Sequence, residues 1–206
     1  MQQPARRSNI PIYIALAVLA AILLWIVSAY NGLVAADQAV QAQWGQVQNV
    51  YQRRADLVPN LVATVKGAAN FEKSTYIAVT QARASVGQLP PDVLKNATND
   101  QAALNQFARA QDNLGSALSR LLVVVENYPQ LKANENFLTL QSQLEGTENR
   151  IAVERRRYNE LAQAFNTRRN TFPTVMAAGM FGDRFKNKAY FQAAPGAQSA
   201  PQVNFP

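Results

Sequence analysis

Two stretches of this chain gather enough polar side chains to do chemistry. In the first, RRADLVPNLVATVK, Arg54, Asp56, Asn60 and Lys66 fall around a proline. A guanidinium, a carboxylate, an amide and an ammonium at one corner could bind an anion or offer a polar face to a partner protein. The same residue types also cap helices and form surface ion pairs, and Asp56 is placed to accept from its own backbone as an N-cap. In the second stretch Glu145, Glu148 and Glu154 are interleaved with Arg150 and the triplet Arg155-Arg156-Arg157. Successive helical residues turn by about 100°, so the three arginines cannot share one face. Exposed salt bridges account for most of these charges. Arg155 and Arg157 are the pair best suited to an anionic phospholipid.

What is missing narrows the chemistry. The 206 residues contain neither cysteine nor histidine. That removes disulfides, thiolate metal sites, a cysteine nucleophile and cysteine lipidation. It also removes histidine acid–base chemistry and the usual histidine-containing zinc sites. No carboxylate pair is spaced to serve as general acid and base. No catalytic residue, metal or cofactor is therefore expected, and a hydrolase built on Asp, Glu, Lys, Ser, Thr or Tyr is a distant reading. The net charge of +7 suits anionic lipid or an acidic partner. The basic residues are interspersed and no nucleic-acid-binding module is recognisable, so nucleic acid is not an expected partner.

The elements that must position these residues begin with a membrane segment. Residues 10–29 read IPIYIALAVLAAILLWIVSA without a formal charge, and as a helix they would span about 30 Å, the thickness of the hydrocarbon core. Val27 and Ala29 also satisfy the small-residue rule for signal-peptide cleavage, but the length of the apolar run favours a retained single-pass anchor. Arg6 and Arg7 precede it and the next basic residue is Arg53. By the positive-inside rule the N-terminus is cytoplasmic and the C-terminal domain extracytoplasmic, which implies a bacterial cytoplasmic (inner) membrane protein.

Periodicity then predicts helices. Leu33, Asp37, Val40, Trp44, Val47 and Tyr51 alternate in steps of four and three, which gives one inward face over residues 30–54. Pro59 predicts a break, with Asp56 capping a second helix over 57–86. GQLPP opens a connection over 87–100, and Asn99 is placed to cap a third helix with Leu104, Phe107, Gln111, Leu114, Leu118, Leu121 and Val125 on its stripe. A fourth helix follows Asn134. Phe137, Leu144, Ile151, Tyr158, Phe165 and Phe172 recur every seven residues, interleaved with Leu140, Thr147, Glu154, Leu161 and Arg168. A strict seven-residue repeat implies left-handed supercoiling. The polar members argue against a dry dimeric zipper and for a partly wet groove. Phe181, Phe185, Tyr190 and Phe191 are suited to sealing a helical groove; Lys186 and Lys188 could instead touch a partner.

The fold expected is all-α: an N-terminal transmembrane helix followed by an antiparallel bundle of four long helices. Its divisions are a polar tail over 1–9, an anchor over 10–29, the bundle over 30–192 and a flexible tail over 193–206.

The chain resembles the LemA family from about residue 30 to 191, with the preceding membrane segment. The resemblance is carried by YNGLV, by QVQNVYQRRADLVPNLVATVKG, and by the long block NLGSALSRLLVVVENYPQLKANENFLTLQSQLEGTENRIAVERRRYNELAQAFN, then by Phe172-Pro173 and Tyr190-Phe191. It implies a membrane-associated bundle of long antiparallel helices and assigns no reaction, cofactor or catalytic residue. The chain departs from the family pattern at Ala68-Ala69 and at Glu154.

The function expected is a membrane-anchored helical scaffold, accessory subunit or adaptor of the cell envelope that binds envelope or inner-membrane proteins. The alternative is direct binding of phospholipid or a small anionic envelope molecule. Self-association stays open, because heptad-like helices pack between chains as readily as within one.

Overall fold

The computed structural model describes residues 9–67 and 72–192. Arg6 and Arg7, the Ala68-Ala69 departure and the 193–206 tail lie outside the described residues. The elements are α1 (Ile10–Lys66), α2 (Lys73–Gly87), α3 (Pro91–Asn96), α4 (Gln101–Val125), α5 (Pro129–Lys132), α6 (Glu135–Asn170) and α7 (Thr174–Met180), followed by a 3₁₀ turn over Gly182–Phe185.

The first helix is continuous for 57 residues, roughly 85 Å at about 1.5 Å per residue. Its large apolar side chains between Ile10 and Val27 are exposed apart from half-buried Ile26, with Leu24 at 71%. The mean hydropathy there reaches 2.8, so α1 is long and apolar enough to cross a membrane near its start. Burial begins at Ala29.

The break expected at residues 53–61 does not occur. Pro59 lies inside α1, and Asp56 is an exposed mid-helix residue rather than an N-cap. A proline lacks the N–H that would bond the carbonyl four residues earlier, which here is that of Ala55. Arg83 on α2 supplies the missing donor, with Nε 2.9 Å from the Ala55 oxygen. The helix expected over 57–86 is therefore two pieces, the end of α1 and all of α2. Because α1 runs on, its inward register continues past Tyr51 through Arg54, Val58, Leu61 and Val65, all buried.

Four helices alternate in direction. Arg83 meets Ala55 and Lys66 lies over the Tyr76 ring, so α2 returns along α1. Gln41 bonds Thr98 and Arg54 bonds Gln111, so α4 runs with α1. Gln43 bonds Glu154 and Arg54 bonds Glu148, so α6 runs against it. The antiparallel bundle is thus as expected, with α2 much the shortest of the four at 15 residues.

The cap of α4 is Asp100, whose carboxylate accepts from the Ala102 and Ala103 amides, and not Asn99. Asn134 caps α6 as expected, accepting from the Phe137 amide; such a cap contributes about 1 kcal/mol. Phe137, Leu144, Ile151, Tyr158 and Phe165 are all buried, but Phe172 is 74% exposed. Helix α6 ends at Asn170 before a cis Phe172–Pro173 bond. Beyond that point the seven-residue register no longer directs a side chain inward.

The core has two halves. Nearer the span it is aromatic: Trp44 packs edge-on against Phe107 and close to Tyr158, and Phe191 lies tilted beside Trp44 and edge-on to Tyr158. At the far end it is aliphatic, with Val58, Leu61, Val65, Leu114, Leu121 and Leu144. Each fully buried side chain of this kind stabilises by about 1.5–3 kcal/mol.

Candidate functional site

The two core halves meet at a polar cross-section. Arg54 on α1, Gln111 on α4 and Thr147 on α6 occupy inward register positions and are buried to 3%, 2% and 2% exposure. All three follow the apolar stripe of their helix, which is why the chain delivers them to one level. Arg54 ties the layer together. Its Nη2 donates to both the backbone and side-chain oxygens of Gln111, at 2.6 and 2.7 Å. Its Nη1 donates to Glu148 Oε1 at 3.0 Å. The Thr147 hydroxyl donates to the Gln143 carbonyl at 2.7 Å. A planar guanidinium can make such a fork where an ammonium cannot.

Tyr51 sits one inward step earlier. The Arg54 guanidinium lies 5.1 Å from its ring centroid. Burial pushes the Tyr51 phenol above its ordinary range; Arg155 and Arg54 oppose this and Asp112 adds to it. Among the described residues its hydroxyl has no hydrogen-bond partner of good geometry, although Arg155 is near enough for its charge to be felt. Tyr158 is likewise raised by burial, with a smaller contribution from Tyr190. Both phenols are neutral at physiological pH and cannot serve as bases there.

Arg155 is held from three sides. It lies 4.0 Å from Asp112, donates to the Gln192 carbonyl at 3.4 Å and stands 4.7 Å from the Phe191 ring centroid. Recesses flank the polar layer. One of about 440 Å³ lies between α4 and α6 and is lined by Glu145, Glu148 and Asn149 with Leu118, Leu122 and Leu144. The other, of about 100 Å³, includes Tyr51, Gln52, Phe107 and Gln111.

Of the six residues singled out from the sequence, the structure brings Arg54 and Arg155 together around Tyr51. The other four stand apart from that centre. Asp56 accepts from Gln52 Nε2 at 2.7 Å on the exposed side of α1. Asn60 is exposed and lines a shallow recess with Thr64, Asn136 and Thr139. Lys66 lies 5.0 Å over the Tyr76 ring. Arg157 is exposed and pairs with Glu154 at 3.2 Å. Glu154, which fell on the inward register of α6, is half-buried and accepts from Gln43 Nε2 at 2.6 Å. Among the described residues no three of His, Cys, Asp and Glu gather as metal ligands.

A second polar assembly fastens the chain after the 3₁₀ turn, and sequence reasoning missed the side-chain amides that build it. Three helix amides each grip one backbone unit of this extended strap at two points. Asn166 binds both the N–H and C=O of Lys188 at 2.7 and 2.9 Å. Gln101 does the same for Tyr190 at 3.1 and 2.9 Å, and Asn159 for Phe191 at 2.9 Å each. The Lys188 ammonium is buried on Asp37 and donates to Asn99 Oδ1 at 2.7 Å. Its reading as a partner contact is corrected: it is an internal clasp. Asp37 on an apolar stripe was the available signal, since a buried carboxylate needs a cation.

Comparison with known proteins places this architecture. The chain is 25% identical to the magnetosome protein MamQ of Magnetospirillum gryphiswaldense, across 98% of this chain and 81% of that protein. It is 26% identical to magnetosome protein MamQ 1 of Paramagnetospirillum magneticum, across 85% and 69%. Protein LemA of Metamycoplasma hominis is 27% identical, across 80% and 69%. Residues 43–205, most of the bundle and the chain beyond it, match the model of the LemA family, and the chain belongs to that family.

Proposed function

We propose that this protein is a membrane-anchored helical scaffold or adaptor of the bacterial cell envelope, which holds partner proteins without catalysing a reaction. The observation that carries this reading is the continuity of α1, which joins an exposed apolar segment to the bundle in one helix. Such a joint fixes the bundle relative to the bilayer, as a positioning device requires. The use of Arg54 and Arg155 as internal ties agrees with it, because each already has partners within the fold. Asp56, Asn60 and Lys66 are exposed on the far end of α1 and are the residues we assign to partner contact. The N-terminus is cytoplasmic and the bundle extracytoplasmic, on the strength of Arg6 and Arg7 before the span.

The test is crosslinking in living cells. Photoreactive residues replace Asp56, Asn60 or Lys66 in the full chain, with Glu160 as a remote control position and a span-only chain as background. Recovery of the same envelope protein from the α1 positions, and not from the controls, is the expected result. Self-crosslinks alone would replace the adaptor with a homo-oligomer. No specific product from folded, abundant protein would remove the reading.

A further inference from the structure

Among the described residues, one apolar surface outside the span has no partner. Phe172, Val175, Met176 and Met180 are 74%, 38%, 62% and 68% exposed, whereas Ala177 and Ala178 on the opposite side of α7 are fully buried. Steps of three and four along α7 put Val175, Met176, Gly179 and Met180 on one face, and Phe172 precedes the helix across the Phe172–Pro173 bond. A soluble protein seldom leaves so many large apolar side chains side by side.

The position of this face says what covers it. Helix α6 runs back towards the span, and a Cβ on Gly32 would lie 1.9 Å from Arg168 Nη2, which sets the two helices level there. Helix α6 ends two residues further on, at Asn170, so Phe172 follows at the end of the bundle from which Ser28 and Ala29 lead into the span. Those residues close the apolar run of α1. The Tyr30 ring lies 4.8 Å from that of Phe181, just after α7, and 5.6 Å from that of Phe185, which holds α7 against this joint. The exposed face of α7 thus belongs to the end of the bundle at which the apolar run of the span closes. The segment around it is basic, with Arg168, Arg169, Arg184 and Lys186 against a single acidic residue, Asp183, within residues 168–186, and Arg168, Arg184 and Lys186 are exposed.

We propose that α7 lies in the membrane–water interface, with Phe172, Val175, Met176 and Met180 among the acyl chains and Arg168, Arg169 and Arg184 at anionic phosphate headgroups. The bundle then has a second hold on the bilayer beside its span. Apolar burial and headgroup attraction together are what bind an interfacial helix. The inference rests on reading residues 10–29 as a membrane span.

The chain has no cysteine, so a spin label can be placed uniquely. Full-length protein carrying Met176→Cys, Met180→Cys, Leu23→Cys or Leu138→Cys is labelled and reconstituted in vesicles of phosphatidylglycerol and phosphatidylcholine. Collisions with oxygen, which partitions into lipid, are compared with those of a water-soluble nickel chelate. Labels at 23, 176 and 180 are expected to favour oxygen, and the label at 138, far along α6, to favour nickel. If 176 and 180 behave like 138 while 23 favours oxygen, the inference is overturned and the span stands. If 23 also favours nickel, both fall. Protection of 176 and 180 from both reagents would assign the face to protein, a second copy or a partner, and overturn the lipid reading. Replacing phosphatidylglycerol by phosphatidylcholine is expected to lower the oxygen preference at 176 and 180 several-fold and leave 23 unchanged. An unchanged preference at all three would remove the headgroup contacts.

Discussion

Arg83 Nε stands 2.9 Å from the Ala55 carbonyl, the acceptor that Pro59 leaves without a helical donor. The side chain of one helix thus completes the backbone of another. An unpaired buried acceptor costs about 1–3 kcal/mol, so Arg83→Ala is expected to destabilise the bundle by that amount. Pro59→Ala restores an N–H four residues beyond Ala55 and should make the loss of Arg83 nearly harmless. A double-mutant cycle on detergent-solubilised full-length protein measures the coupling. Strict additivity of the two changes would show that the contact does not replace the missing bond.

Arg54 gives an asymmetric prediction. Its guanidinium is buried, whereas the Glu148 side chain is 45% exposed and can be hydrated when left alone. Arg54→Ala loses the fork onto Gln111 together with buried packing, and should cost about 2–4 kcal/mol. Glu148→Gln should cost about 1 kcal/mol or less, since a neutral acceptor remains. Arg54→Lys should not recover wild-type stability, because one ammonium cannot reproduce the planar fork. Chemical denaturation of the three variants ranks them; equal losses for Arg54→Ala and Glu148→Gln would locate the energy in the ion pair instead.

The buried phenols make stability depend on alkaline pH. Burial raises Tyr51 and Tyr158 above the ordinary value of 10.0. Above about pH 10 an unfolded chain releases these protons while the folded chain retains them. Their contribution to stability is therefore intact below that pH and is lost as pH rises beyond it. Tyr158→Phe should reduce the fall by up to ~1.4 kcal/mol per pH unit, the value for one linked proton. It should change little at pH 7, because the Tyr158 hydroxyl has no hydrogen-bond partner among the described residues. Unfolding midpoints from pH 7 to 11 check this, and an identical alkaline slope in the variant would exclude Tyr158 as a source.

The bundle was legible because apolar periodicity survives whatever the loops do: the stripes on α1 and α4 and the seven-residue set from Phe137 to Phe165 on α6 are buried nearly residue for residue, while most of the interleaved set on α6 is only half-buried. The polar layer was less legible, and for a specific reason. Arg54 continues the alternating steps from Leu33 to Tyr51, but a charged residue followed by Pro59 reads locally as the end of a helix. Local propensity lost to tertiary structure, through Arg83, whose role depends on a helix folding back from 28 residues further on. Asn99 and Asp100 are equivalent as caps on paper, and only the backbone path chooses between them. The grips of Gln101, Asn159 and Asn166 left no pattern at all, since amides on a helix surface are ordinary until an extended strand lies against them.

Those amides predict how the strap opens. Asn166→Ala removes the acceptor of the Lys188 amide and the donor to its carbonyl. Losing about 1–3 kcal/mol of local stability corresponds to roughly 5- to 150-fold faster amide exchange. Hydrogen exchange read on the peptide spanning residues 186–192 should accelerate within that range, with exchange in α4 unchanged. Asn159→Ala should do the same at Phe191. Wild-type exchange in both variants would show that aromatic packing alone retains the strap.

The unbroken course of α1 has a mechanical meaning. From Ala29 to Lys66 the helix extends roughly 55 Å at about 1.5 Å per residue, with no hinge between bilayer and tip. A flexible linker would let the far end wander over a hemisphere. A lever does not: tilting it by about 10° at the membrane carries the tip sideways by nearly ~10 Å, and twisting it about its axis turns every surface of the bundle by the same angle. Where the span tilts to accommodate a hydrophobic mismatch, that tilt would be transmitted as displacement and heading to the distal end, where the proposed scaffold would hold its partner.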